Sequence, residues 1–456
     1  MKHPLNPDAP RTALRVENAT LIDGTGAAPV TDAVVIADAG GTLTYAGPAA
    51  TAPPTPPGAS GPGAAGGTTV IDAAGRTVLP GFFDCHVHLA YAHGAHPGRR
   101  GELDPVLVTL DTAARLRQTL DAGITTARDL AGLSAGFRIA VETGRVVGPR
   151  LHTAVRVISH TGGHADVRLP DGTDLSAGMS ELADSVDESR LAVRRVLREG
   201  ADLVKICATG GMGSPYDQPD DEGLLEEEIR AVVDEARRHG NKPVAAHAQG
   251  NAGILNAIRG GVTSIEHGYD MDDRAIEMAG ERDIFVVPTL STVYAGINKD
   301  TMAPYHYEKK VRWSGLTKEN ISRAIAGGSR IALGTDAAVG PHGQNLMELS
   351  YLVDLGMSPM DAIVAGTRTS AELLGLADRL GTLTAGRAAD LVIADGDPLA
   401  DIGVLGDPAH IVCVVQDGRV RKDTAGIVAG ATAATAASAA SAASAASAAS
   451  PDRRER

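Results

Sequence analysis

Pro80-Gly81-Phe82-Phe83-Asp84-Cys85-His86-Val87-His88 is the stretch on which the reading of this chain turns. It is an apolar run that ends in titratable residues. Successive side chains of a strand alternate between faces, so His86 and His88 point one way while Cys85 and Val87 point the other. Two imidazoles on one face at a strand end can grip one metal ion. Alone, the pair equally fits two solvated loop histidines, so its meaning depends on what the rest of the chain places beside it.

Seven further short apolar runs follow: Ile124–Leu130, Arg150–Ile158, Leu203–Ala208, Val244–His247, Ser264–His267, Phe285–Leu290 and Ile331–Thr335. With Phe82–Leu89 they make eight, and amphipathic stretches lie between most of them. Leu116 and Leu120 are four apart, which predicts a helix ending at Gly123. Leu224 to Val233 predicts another, ending near Gly240. Eight strand–helix units over residues 80–376 predict an α/β fold, a distorted (β/α)8 TIM barrel. An open doubly wound sheet would carry a Gly-rich phosphate loop after an early strand, and the sequence has none. Short strand-like runs over 12–79 and again over 377–430 predict a small composite β-sandwich domain built from both ends of the chain. The Pro/Gly/Ala-rich stretch 51–67 reads as an exposed loop. The Ala-Ala-Ser repeat within 431–456 reads as a low-complexity disordered tail with no predicted role.

The chain has 456 residues, 43% hydrophobic but only 3% aromatic, which predicts an aliphatic core. Its 42 Lys+Arg against 56 Asp+Glu leave a net charge of −14, which argues against nucleic acid as a partner. No apolar run is long enough to span a membrane. The first twenty residues lack the apolar core of a signal peptide, and three cysteines do not make a disulfide framework. A cytoplasmic protein is the expectation.

The ends of the runs carry the chemistry. Lys205 lies inside the apolar fourth run, and a buried lysine is rare unless paired or functional. His247 ends the fifth run, His267 the sixth, and Asp336 follows the eighth. In a barrel of this kind the C-terminal ends of the strands hold the active site. Four imidazoles and a carboxylate suit Zn²⁺, Mn²⁺ or Co²⁺. An ammonium is a poor ligand, but a lysine that has reacted with CO₂ is an anionic carbamate able to bridge two ions. On this reading His86, His88 and Asp336 hold one divalent metal, His247 and His267 hold a second, and carbamylated Lys205 links them. Such a pair holds a hydroxide at neutral pH, and Asp336 takes its proton and hands it to the leaving group.

The motif from Pro80 to His88, together with the order His-x-His, Lys, His, His, Asp, resembles the binuclear members of the amidohydrolase superfamily. Gly24-Thr25-Gly26 and Gly381-Thr382-Leu383 with Gly386 to Val392 are similar to its flanking segments. The resemblance covers roughly residues 12–420 and implies hydrolysis by a barrel with a composite β-sandwich. Ser159-His160-Thr161-Gly162-Gly163-His164-Ala165-Asp166 and Lys205 to Pro215 resemble the prolidase-like branch, which includes Xaa-Pro and Xaa-Arg/Lys dipeptidases and ochratoxin-type amide hydrolases. The resemblance implies that His164 contacts the substrate carbonyl or carboxylate; a loop histidine held by turn hydrogen bonds is the competing role. Tyr216, in the Gly-rich loop, is a second candidate for substrate binding. The expected substrate is a small amide, a dipeptide or an N-acyl amino acid. The alternative is cyclic-amide (imidazolone-type) hydrolysis or deamination, and a non-catalytic scaffold is disfavoured because all six expected ligands are present. Homo-oligomers are common for such folds. Cys85 and Cys207 read as packing residues, and His93, His96 and His342 as residues of the mouth.

Overall fold

The computed structural model describes residues 12–54, 67–91, 104–168, 174, 176, 178–300 and 302–429. The sequence readings for most of the 51–67 loop, for His93 and His96, and for the 431–456 tail lie outside those residues.

The chain starts with five strands: β1 (Ala13–Leu21), β2 (Val30–Ala37), β3 (Leu43–Pro48), β4 (Thr68–Asp72) and β5 (Thr77–Pro80). The middle of the chain gives β6 (Phe82–Val87), β7 (Ile124–Asp129), β8 (Arg150–Thr153), β9 (Val157–Ser159), β10 (Ser180–Leu182), β11 (Val204–Cys207), β12 (Val244–Ala248), β13 (Ser264–His267), β14 (Phe285–Val287) and β15 (Arg330–Ile331). The end adds β16 (Leu391–Ala394), β17 (Ile411–Gln416) and β18 (Arg419–Asp423). Among the described residues three sheets form. One runs β18-β17-β16-β5-β1-β2-β3, with β4 paired to β1. The central strands make two all-parallel sheets, β6-β7-β8 and β10-β9-β11-β12-β13-β14-β15.

Parallel strands need crossovers, and helices supply them. The first is α1 (Pro105–Asp121), where the Asp104 side chain accepts from the Val106 N–H and Leu116 and Leu120 are fully buried. Then come α2 (Ala135–Glu142), α3 (Val186–Arg198) and α4 (Glu226–Arg238). α4 starts with three glutamates and ends with two arginines, which complements its dipole. α5 (Asn251–Gly260), α6 (Asp273–Glu281), the single turn α7 (Ser291–Tyr294) and the long α8 (Pro304–Ala326) complete the series up to β15. Ile, Val, Leu and Ala from the strands and from these helices fill one continuous core.

The third predicted run is broken in two. Val155, a β-branched residue, sits at φ +62° between β8 and β9, which stops the ladder there. The eighth run is a strand for two residues only, because its continuation turns toward β6: the Cys85 N–H donates to the Leu333 carbonyl at 2.8 Å and the His88 N–H to the Ala337 carbonyl at 2.9 Å. Asp84 reinforces this seam. Its carboxylate accepts from the Thr335 hydroxyl at 2.6 Å, the Thr335 N–H at 3.1 Å and Asn345 Nδ2 at 2.7 Å.

The two ends of the chain meet where β16 pairs antiparallel with β5, Leu391 opposite Pro80. Leu14, Val16, Val35, Ile71, Val78, Leu391, Ile393, Cys413 and Val415 form a separate core there. Gly24 shows how closely the segments approach: at φ +81°, a Cβ on it would lie 2.7 Å from Pro80 Cγ and 2.8 Å from the Gly381 carbonyl oxygen. Among the described residues no helix is long and apolar enough to cross a membrane.

Candidate metal centre

His86, His88, Lys205, His247, His267 and Asp336 converge at the C-terminal ends of the central strands. The donor atoms of His86, His267 and Asp336 all lie within 4.8 Å of one another, and all three residues are buried. Asp336 Oδ1 stands 3.6 Å from His86 Nε2 and 3.1 Å from His88 Nε2. The His86 and His267 rings are 5.1 Å apart between centroids, and His247 and His267 are 4.6 Å apart.

Each histidine has one nitrogen engaged by the protein, which turns the other inward. His86 Nδ1 faces Glu266 Oε2 at 2.9 Å, and His88 Nδ1 faces the Ala131 carbonyl at 3.2 Å. His267 Nδ1 faces the Thr289 hydroxyl at 2.7 Å, while His247 uses Nε2, on the Gly210 carbonyl at 2.9 Å. Such partners fix tautomer and orientation in metal sites. Burial holds His86, His247 and His267 well below the ordinary imidazole range, so they are neutral and able to ligate. At His88 burial is outweighed by the Asp336 carboxylate, which holds the ring above that range. Burial opposes ionisation of Asp336, but His86, His88 and Lys205 outweigh it and keep the carboxyl far below its usual value.

Lys205 stands on β11 between Val157 of β9 and Ala245 of β12. It is 4% exposed and its Nζ has no hydrogen-bond partner among the described residues. Burial pulls its amine down. An orphaned buried amine costs free energy, and its conversion to an anionic carbamate between two cations would remove that cost. The donor set therefore fits divalent metal.

Backbone strain completes the cluster. Glu266 and His267 are consecutive, so alternation puts them on opposite faces, yet both serve the site. His267 takes φ +75°, which re-aims its ring, and Asp336 takes φ +56°. Glu266 also accepts from Arg128 at 2.7 Å and from Ser264 Oγ at 2.5 Å. Neither Glu266 nor Arg128 was singled out from the sequence, although each breaks an apolar run, the signal that drew attention to Lys205. Glu266→Gln is expected to weaken metal affinity roughly 10- to 100-fold, because the amide no longer neutralises buried Arg128 or fixes the His86 tautomer. Competition against a chelator measures this, and unchanged affinity would remove Glu266 from the support of the site.

His164 stacks on His247, with centroids 4.2 Å apart and planes at 17°, and its Nδ1 faces Asp217 Oδ2 at 3.1 Å. Asp217 was not foreseen; it also accepts from the Gly211 N–H at 2.8 Å. A Cβ on Gly211 would lie 2.1 Å from His164 Cε1. Gly211→Ala is therefore expected to push the His164 ring aside and lower kcat/KM by roughly 10- to 100-fold, with metal content unchanged. Loss of metal in that variant would place His164 in the support of the centre instead. Tyr216 is 59% exposed. His342 is buried, with Nε2 on the Tyr91 carbonyl at 2.7 Å. Cys85, Cys207 and Cys413 are buried free thiols; Cys85 packs with Phe83, Val287 and Ala371, and Cys207 with Ala131, Val157 and Ala165.

The signature of the amidohydrolase family matches residues 77–421. The chain belongs to the amidohydrolase family. It is a hydrolytic enzyme acting on C–N bonds, with amide hydrolysis as its general chemistry. It is 33% identical over 377 residues to the ochratoxinase of Aspergillus niger, covering 76% of this chain and 75% of that protein. The crystal structure of a Xaa-Pro dipeptidase with bound methionine superposes with a TM-score of 0.80 at 30% identity, covering 90% of this chain and 99% of the other. The imidazolonepropionase of Streptomyces griseus is 25% identical over 408 residues, 84% of this chain and 90% of that protein. These relatives bear out the prolidase-like and ochratoxinase-like resemblance of the sequence.

Proposed function

We propose that this amidohydrolase cleaves the amide bond of a dipeptide or N-acyl amino acid at a binuclear metal centre. The observation that carries the reading is the buried Lys205 amine, unpartnered among the described residues, set among four histidines that each keep one nitrogen free of the Glu266, Ala131, Thr289 and Gly210 contacts. His86, His88 and Asp336 would hold one divalent ion, His247 and His267 the other, and carbamylated Lys205 would bridge them. Zn²⁺ is the expected metal, with Mn²⁺ and Co²⁺ as the alternatives. When bound, such ions lower the pKa of water and polarise the scissile carbonyl. Asp336, low in pKa and within reach of both His86 and His88, takes the proton of the attacking water and delivers it to the departing amine. His164, oriented by Asp217, contacts the substrate carbonyl or carboxylate, and exposed Tyr216 borders the entrance.

The two parallel sheets, joined through Asp84, Cys85 and His88 to the 333–337 segment, are proposed to form one closed distorted (β/α)8 barrel over 80–376. The strands of 12–79 and 377–430 are proposed to form its composite β-sandwich domain. Cytoplasmic location, supported by three free buried thiols, and homo-oligomeric assembly belong to the same proposal.

A screen of zinc-loaded protein against dipeptides and N-acyl amino acids, reading the freed amine, tests the reaction. Release of one class of C-terminal amino acid supports the reading. Silence toward that library with turnover of a cyclic imidazolone would favour the second reading, which the similarity to imidazolonepropionase keeps in view.

A further inference from the structure

The Gly-rich loop 210–217 holds little that could order it from within. Gly210, Gly211 and Gly213 have no side chain to pack, and glycine loses more freedom on ordering than any other residue. An ammonium supplies the order from outside. Lys309 of α8 is 6% exposed, and its Nζ donates to the carbonyls of Gly211 at 3.0 Å, Ser214 at 2.7 Å and Asp217. The Asp217 carboxylate stands 4.0 Å away. An ammonium has three donors, so all of them are spent on this one loop, whose carbonyls surround the charge as they would a bare monovalent cation. Tyr305 and Arg312, on the same face of α8, add a contact to either side. The Tyr305 hydroxyl donates to the Gly213 carbonyl at 3.3 Å, and Arg312 donates to Asp220 at 2.9 Å.

Two arms leave this loop toward the metal centre, and Lys309 governs one of them. Asp217 Oδ2 accepts from the Gly211 N–H at 2.8 Å and faces His164 Nδ1 at 3.1 Å, which sets the His164 ring flat against His247. Asp217 is 5% exposed, and its Oδ1 has no hydrogen-bond partner among the described residues, so the Lys309 ammonium is the charge that offsets its burial. The other arm is the Gly210 carbonyl on His247 Nε2. Gly210 is tied elsewhere: its N–H donates to the Asp221 carbonyl at 3.0 Å, and Thr209 beside it bridges to Glu222. Loss of the Lys309 charge therefore releases His164 and leaves His247 in place.

We infer that Lys309 is a built-in monovalent cation around which the Gly-rich loop folds, and that it acts through Asp217 as a positioning residue for His164. The inference rests on the proposed role of His164 at the substrate and adds the group that keeps His164 there. Lys309→Met removes the charge at nearly constant volume. Metal content is expected to stay at the wild-type level, amide exchange across 210–217 to rise roughly tenfold while β11 stays protected, and kcat/KM to fall roughly 10- to 100-fold. His164→Ala should cost the same factor, and the double variant no more than either single one, because both changes remove one interaction. In Lys309→Ala, n-propylammonium replaces the carbons and the nitrogen that alanine lacks. It should restore loop protection and most of the activity, while n-propanol at equal concentration should not. Unchanged exchange across 210–217, loss of metal, losses that add in the double variant, equal rescue by n-propanol, or failure of both variants to fold even with n-propylammonium would overturn the inference. Should wild type hydrolyse no amide, the functional reading falls, and loop exchange with and without n-propylammonium still decides the role of Lys309.

Discussion

Lys205→Ala is expected to lower kcat/KM by roughly 10³-fold or more, the rate equivalent of about 4 kcal/mol in transition-state stabilisation. The substitution removes a buried amine that has no hydrogen-bond partner among the described residues. The Val157 and Ala245 neighbours of its strand are aliphatic, and the cavity left behind is the main structural cost. The loss should therefore appear in metal content and turnover while the protein still melts cooperatively. Added formate, acetate or propionate should restore part of the activity, because a short carboxylate fits where the carbamate stood. Full activity in Lys205→Ala would sink the binuclear reading. A metal-replete but inactive variant that no carboxylate rescues would confine Lys205 to a different role.

Asp336→Asn is expected to reduce kcat by a factor on the order of 10² to 10⁴, as for loss of a general acid–base group. Asn is nearly isosteric with Asp and is among the few residues that tolerate a left-handed backbone, so φ +56° at this position survives the change. The amide oxygen can still ligate, so some metal should remain, and the effect should fall on kcat more than on KM. What disappears is the proton acceptor whose pKa His86, His88 and Lys205 hold low. Wild-type kcat in Asp336→Asn, measured at equal metal occupancy, would remove it from proton transfer.

Much of this site is legible in the sequence. The eight apolar runs coincide with β6, β7, β8 with β9, and β11 to β15, because a strand buried on both faces must be apolar throughout. The titratable residues at their ends stood out against that background. β10, which pairs with β9, was missed because Ser180-Glu181-Leu182 has no apolar run to mark it. The break at Val155 was missed because a valine gives no warning of a left-handed backbone. Glu266 and His267 were a sharper case. Strict alternation allows only one of them to face the site, and only the positive φ of His267 lets both do so.

The long helix α8 shows the same limit. Its Lys309-Lys310 pair was not singled out from the sequence, and both lysines are buried. That burial follows from the packing of α8 over α7 and the Gly-rich loop, which no local pattern announces.

By itself the sequence determined which residue types stand at which strand ends, and hence the candidate ligands and their order. Strand period and side-chain chemistry are local properties, readable from neighbours along the chain. The tertiary structure decided which nitrogen of each histidine is free, which carboxylate supports which ring, and which buried amine lacks a partner. Those are contacts between distant residues, such as His86 and Glu266, 180 positions apart, and they exist only once the strands have been laid side by side.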